Sequence, residues 1–197
     1  MSEKISGFLR DTFKEKQFLI WDCETENLNL RHNKPWQLFF LITQGETIIK
    51  QEKHYLKWPN LDVSKDAARI THFNPKTIEE FGENPKTVLD VFDSYLYDEK
   101  YCIIGQNIIG FDAFVHNGWR LEFGKKTDYS WLNRLYDTNC LAKAYKLGLK
   151  KKNDESLLNW QFRLNNIRKK GLKTNLEALG KEFELSFDAL NLHDAAV

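Results

Sequence analysis

Asp22, Glu24, Asp112 and His193 are the residues whose types and spacing could do chemistry. Asp22 and Glu24 close the apolar run in Phe-Leu-Ile-Trp-Asp-Cys-Glu-Thr. In a strand, side chains alternate, so both acids project to one face and Cys23 to the other. Two carboxylates on one face repel each other and are costly in apolar surroundings unless a cation sits between them. Read alone, the pair is equally an exposed strand end with two solvated acids. Asp112 opens a predicted helix in Gly-Gln-Asn-Ile-Ile-Gly-Phe-Asp, where an Asp often serves only as a cap. Phe111 beside it reads as core. His193, followed by Asp194-Ala195-Ala196, is either an exposed side chain near the C-terminus or a proton acceptor, the role imidazole fills best near neutral pH.

The elements that must position these groups follow from the hydrophobic period. Gln17–Cys23 and Trp36–Ile42 are apolar enough to be buried strands, and the Gln44-Gly45 turn returns the chain as Thr47–Tyr55. Three strands with short connections predict an antiparallel meander. Val63–Ile70, the stretch after Asn74-Pro75, and Lys86–Tyr97 read as helices, with prolines near two of their starts. Tyr101–Gln106 is a compact apolar run that predicts a central strand, followed by an amphipathic helix over Gly110–Phe123. Leu135–Asp137 predicts a brief last strand leading into a helix at Thr138–Lys146. Asp154–Lys169, Asn175–Phe183 and a short piece near His193 complete the expected helices. The order implies one α/β domain with a mixed sheet flanked by helices, spanning residues 1–197.

The ordered string is more specific than any one of its parts: Asp-x-Glu-Thr, Asn-x-x-x-Phe-Asp, Asp137-Thr138, Asn175-Leu176-x-x-Leu179, and His193-x-Ala. Together these resemble the DEDDh family of 3′→5′ exonucleases, of the proofreading-subunit type, on the ribonuclease H-like fold. The resemblance runs from about Phe18 to the last residue, and Pro35-Trp36-Gln37 and Tyr136-Asp137-Thr138-Asn139 fit it too. It implies hydrolysis of terminal phosphodiester bonds, releasing nucleoside monophosphates. Asp22, Glu24 and Asp112 would hold two Mg²⁺ or Mn²⁺ ions, hard cations suited to carboxylate oxygens. Asp22 would bridge the two ions, and His193 would take the proton of the attacking water. Thr25 and Asn107 would position the substrate. Leu28 would pack on the terminal base, or simply within its own loop. Gln106 departs from the His that many relatives carry there.

A second departure concerns the family's last acid, expected five residues after the histidine, one position beyond Val197. The expectation is a chain cut within its final motif. If nothing follows, the rival reading is a non-catalytic nucleic-acid- or partner-binding module on an exonuclease fold.

The net charge of +1 argues against a uniformly polybasic binder, but it hides an asymmetry. From Lys143 to Lys173 there are ten basic residues against two acids, so this segment carries +8 and the remainder −7. It reads as a basic helical insertion. It is either a solvated face or an edge that tracks phosphates, with Lys169 and Lys170 as contacts and Trp160 and Phe162 available for stacking. The expected partner is a nucleic acid with a 3′ end, single-stranded or frayed DNA ahead of RNA, with a DNA polymerase or replication complex as a further candidate. Three scattered cysteines without a CxxC pair, a charged N-terminus and no apolar run of about 18–20 residues predict a cytoplasmic protein without membrane contact, in host cytoplasm if viral.

Overall fold

Alternating burial along Gln17–Thr25 (β1) shows why this run is a central strand: Leu19, Trp21 and Cys23 are buried on one face. The computed structural model describes residues 11–185, so His193 and the helical piece expected near it lie outside the described residues. A short helix, α1 (Asp11–Lys14), precedes β1. β1 pairs antiparallel with β2 (Pro35–Gln44), and β2 with β3 (Thr47–Leu56). These three strands are the expected meander. Helices α2 (Lys65–Ile70), α3 (Pro75–Phe81) and α4 (Pro85–Leu96) follow, with the two-residue strand β4 (Gly82–Glu83) between the last two. The side chains of Asn74 and Asn84 cap α3 and α4, and each helix begins with a proline at a position where no backbone N–H is needed.

β5 (Tyr101–Gly105) runs parallel to β1, and β6 (Leu135–Asp137) parallel to β5. The sheet order is β4-β3-β2-β1-β5-β6, a mixed α/β sheet of the expected ribonuclease H-like kind. Between β5 and β6 lie α5 (Asp112–Glu122) and a 3-10 turn at Ser130–Arg134. After β6 come α6 (Thr138–Leu147), α7 (Leu157–Asn165) and α8 (Leu176–Glu182).

Trp21 ties β1 to the helical layer through Phe92 of α4 at 5.0 Å and Trp131 at 5.9 Å between ring centroids. On the same face, His116 of α5 and Asp93 of α4 are hydrogen-bonded at 2.9 Å, and Arg120 and Lys125 also meet Asp93. Burial thus leaves α4 and α5 fixed against β1, which sets the start of α5 beside the β1 end.

Three helices begin two residues or more later than expected. The helix read over Val63–Ile70 begins at Lys65, capped by Ser64. The helix read over Gly110–Phe123 begins at Asp112, because Ile108–Gly110 forms a separate 3-10 turn. The helix read over Asp154–Lys169 is only Leu157–Asn165. Ser156 caps its start, and the ion pair of Arg163 with Glu155 folds the preceding turn back onto it. The basic segment is therefore mostly irregular, with α7 and the end of α6 as its helical parts.

Candidate active site

The parallel pairing of β1 with β5 ends at Ile20 opposite Ile104, and β1 runs on past it as Asp22, Cys23 and Glu24, paired only with β2. β5 turns away at Gly105, where a Cβ would stand 2.5 Å from the Ile108 side chain and 2.9 Å from the Trp21 carbonyl oxygen. Only glycine permits that close approach. A crevice therefore opens at the ends of the two parallel strands, the ordinary place for a site in an α/β sheet.

The turn beyond Gly105 is held in shape by Asp137. Its buried carboxylate accepts hydrogen bonds from the backbone N–H groups of Asn107 (3.2 Å) and Ile109 (3.0 Å), and from Cys140 at the start of α6 (3.2 Å). Asn107 adopts a left-handed conformation with φ of 59°, which Asn tolerates better than most residues. Gly110 follows because a Cβ there would meet the Asn107 side chain at 2.4 Å. The Asn107 amide oxygen accepts from Asn139 at 3.1 Å, and Asn139 in turn accepts from the Thr174 hydroxyl at 2.6 Å. Gln106 donates to the Thr174 carbonyl at 2.8 Å, drawing the segment before α8 over the strand end. Gln161, fully buried, donates to the Leu135 carbonyl and accepts from the Asp137 N–H, so α7 supports the same corner. Sequence reading missed the anchoring roles of Asp137 and Gln161. Only the Asp-Thr at the β6 end hinted at the first.

Asp22, Glu24 and Asp112 line one cavity of about 430 Å³. Asn107, Phe111 and Leu28 contribute to its walls, and Leu176 and Glu177 of α8 face them. Asp112 is 3% exposed. Apart from its own N–H, its carboxylate accepts a hydrogen bond from the Cys23 thiol at 3.2 Å, so it turns toward β1 instead of capping α5. Burial pushes its carboxyl well above the ordinary range, and the charge of Asp22 adds to the rise. Burial likewise raises Asp22 from 3.8 to about 7, against a smaller opposing effect of the Cys23 N–H. Burial and then the Asp112 charge drive the Cys23 thiol far upward, so it stays protonated and donates.

Among the described residues, no Lys or Arg pairs with Asp22 or Asp112. Two half-buried or buried carboxylates, both raised by burial and one further by the other's charge, without a basic side chain beside them, have the donor chemistry of a hard divalent metal site. Glu24 shares the cavity, yet among the described residues no three His, Cys, Asp or Glu side chains form a closed metal-binding group.

The other expected site residues are placed unequally. Leu28 is 87% exposed at the cavity wall, so it is not packed within its loop. That loop is braced by buried Glu26, which accepts from the N–H groups of Lys34 and Asp62. Thr25 is buried and donates to the Asn27 carbonyl at 2.8 Å, and it does not line the cavity. Phe111 is half-buried, packing against the core while showing one side to the cavity. Lys169 lines a neighbouring polar pocket, and Lys170 is exposed on the surface.

No protein-family model matches the chain. Exodeoxyribonuclease I of Buchnera aphidicola subsp. Baizongia pistaciae is 31% identical over 120 residues, 59% of this chain and 25% of that protein. The structure of E. coli Exonuclease I in complex with a dT13 oligonucleotide superposes with a TM-score of 0.69 at 24% identity, covering 91% of this chain and 38% of the other. The zinc-bound E. coli ExoI–ssDNA complex gives 0.70 at 23% identity, over 91% and 37%. The fold is thus shared with exonuclease I, and its mixed α/β sheet is the one the motif string implied. The chain spans about a quarter of the length of the curated relative it matches and less than half of these solved chains.

Proposed function

We propose that the protein is a divalent-metal-dependent 3′→5′ exonuclease that releases nucleoside monophosphates from single-stranded DNA. One observation carries this reading: the carboxylates of Asp22 and Asp112 line one cavity at the end of β1 without a basic partner among the described residues, in the fold of an enzyme whose solved forms hold single-stranded DNA and zinc.

Asp22, Glu24 and Asp112 would hold two Mg²⁺ or Mn²⁺ ions. When bound, such ions stabilise the attacking and leaving oxygens of an in-line phosphoryl displacement and lower the pKa of water. Leu28 offers its exposed side chain to the terminal base, excluding water from one side of it. Asn107, fixed by Asp137 and Asn139, orients the end of the strand. Cys23 holds the Asp112 carboxylate in one orientation by donating its thiol proton. His193 takes the proton of the attacking water. Lys169 and Lys170 attract the phosphate backbone toward the cavity. Thr25 acts indirectly, by fixing the loop that carries Leu28.

Because no closed group of three ligands forms among the described residues, a second reading stands beside the first, a module that binds a strand without cutting it. Oligonucleotides labelled at the 5′ end and at the 3′ end separate the two readings. With Mg²⁺ or Mn²⁺, the exonuclease converts the 5′-labelled strand into a descending ladder and releases the 3′ label at once as a mononucleotide. Binding without any ladder would establish the module instead. Early release of the 5′ label would reverse the polarity.

A further inference from the structure

Beside the carboxylate cavity lies a second pocket, of about 270 Å³, lined by Asn107, Asn139, Lys143, Arg168, Lys169 and Thr174 among others, none of them acidic. Its floor is Lys143, only 7% exposed, whose ammonium donates to the Asn165 carbonyl at 3.1 Å and meets no carboxylate among the described residues. Arg168 donates to the carbonyls of Asn165 and Ile167 and is likewise without an acidic partner among the described residues. Elsewhere in the basic segment, two cations are neutralised: Arg163 pairs with Glu155, and Lys146 with Glu182. Three cations converging on one pocket, one of them buried, repel each other unless an anion joins them.

We propose that this pocket binds a phosphate, and that the phosphate belongs to the backbone of the same DNA strand, upstream of the nucleotide in the carboxylate cavity. The two pockets share Asn107 as a wall, so a strand whose end enters one passes the other. The side chains of Asn107, Asn139 and Thr174 form a hydrogen-bonded rail between them. Lys143 supplies a buried point charge, and Arg168 and Lys169 close over the phosphate from the solvent side. The inference rests on the exonuclease reading for the strand and its direction, and on the pocket's own cations for the phosphate.

The test is binding, measured by fluorescence anisotropy in EDTA so that nothing is cleaved. The probes are an oligothymidylate of about twelve nucleotides, a dinucleotide and inorganic phosphate. Arg168 is exposed, so Arg168→Glu leaves the fold intact, and Lys143→Met keeps the buried stem without its charge. Each is expected to weaken the longer strand about five- to tenfold and to lower the magnitude of its salt slope by about 0.7, the value of one lost single-strand phosphate contact. Arg168→Lys should restore most of the loss. The dinucleotide, too short to reach upstream, should bind the variants as it binds the native protein. An unchanged slope in Arg168→Glu would overturn the site. Equal weakening of the dinucleotide would overturn its upstream position, and a loss confined to inorganic phosphate would make it a site for the free ion. A ladder with an unchanged slope would defeat this pocket alone. An altered slope without any ladder would defeat the exonuclease reading and leave the pocket standing.

Discussion

Replacing Asp22 with Asn should stabilise the metal-free protein while weakening its hold on metal. Burial raises the Asp22 carboxyl to about 7 where an unfolded chain would have 3.8. That difference corresponds to at most about 4 kcal/mol, at about 1.36 kcal/mol per pH unit. Water at the cavity mouth screens part of it, leaving about 1–3 kcal/mol. Because the folded group keeps its proton to higher pH than the unfolded one, its contribution is fully present below 3.8 and is lost as pH rises through about 7. Asp22→Asn removes that loss. For a chain of this size the gain is a melting temperature about 2–12 °C higher at pH 8 in EDTA, shrinking to less than half at pH 5. Scanning calorimetry at both pH values measures it. Adding Mn²⁺ at about a hundredfold excess over its dissociation constant should then stabilise the native protein by about 2.7 kcal/mol and the variant by much less. An Asn variant that melts no higher than the native protein at pH 8 in EDTA would show that burial of the ionised Asp22 costs the fold nothing. A metal-induced shift equal in both would show that Asp22 holds no metal.

Asp137→Ala leaves three backbone N–H groups without their acceptor, so calorimetry should show a loss of about 2–4 kcal/mol, about 4–16 °C, together with reduced cleavage as the Asn107 turn loosens. His116 is held neutral by burial, which outweighs the Asp93 carboxylate beside it. Its folded pKa lies below the unfolded 6.5, so stability declines as pH falls below 6.5, and Asp93, lowered in the fold, adds to the loss in stronger acid. An NMR titration should find the His116 midpoint below 6.5, whereas a midpoint at or above 6.5 would contradict its burial. Leu28→Ala should change stability by no more than about 0.5 kcal/mol, because the side chain is exposed. Steady-state kinetics should show the same variant raising KM for the strand about fivefold, the equivalent of about 1 kcal/mol of lost apolar contact.

Local signals made much of this molecule legible. Strand alternation put Asp22 and Glu24 on one side of β1, and β6 was readable to the residue because Leu-Tyr-Asp stands between a turn and an Asp-capped helix. The same signals failed where partners are distant in the chain. Nothing in the periodicity joins Gln161 to Asp137, or Thr174 to Gln106, yet these bonds shape the cavity. Helical propensity was also misleading after Asn165: residues 166–170 include three basic side chains that suit a helix, but the chain must leave α7 to reach the β5 end. Asp112 taken alone reads as a cap, and only the motif string marked it as a ligand; its contact with the Cys23 thiol, made across 89 residues, was not legible.

Hydrolysis at a 3′ end is proposed to depend on the Asp22–Asp112 pair. Its most direct test is the initial rate of mononucleotide release from a 3′-labelled strand with Mg²⁺, for the native protein and for Asp112→Asn. Asn retains an acceptor for the Cys23 thiol, so the fold should persist while the charge that attracts metal is gone. The expected rate is about a thousandfold lower with an unreduced melting temperature. A rate within about threefold of the native protein would contradict that dependence.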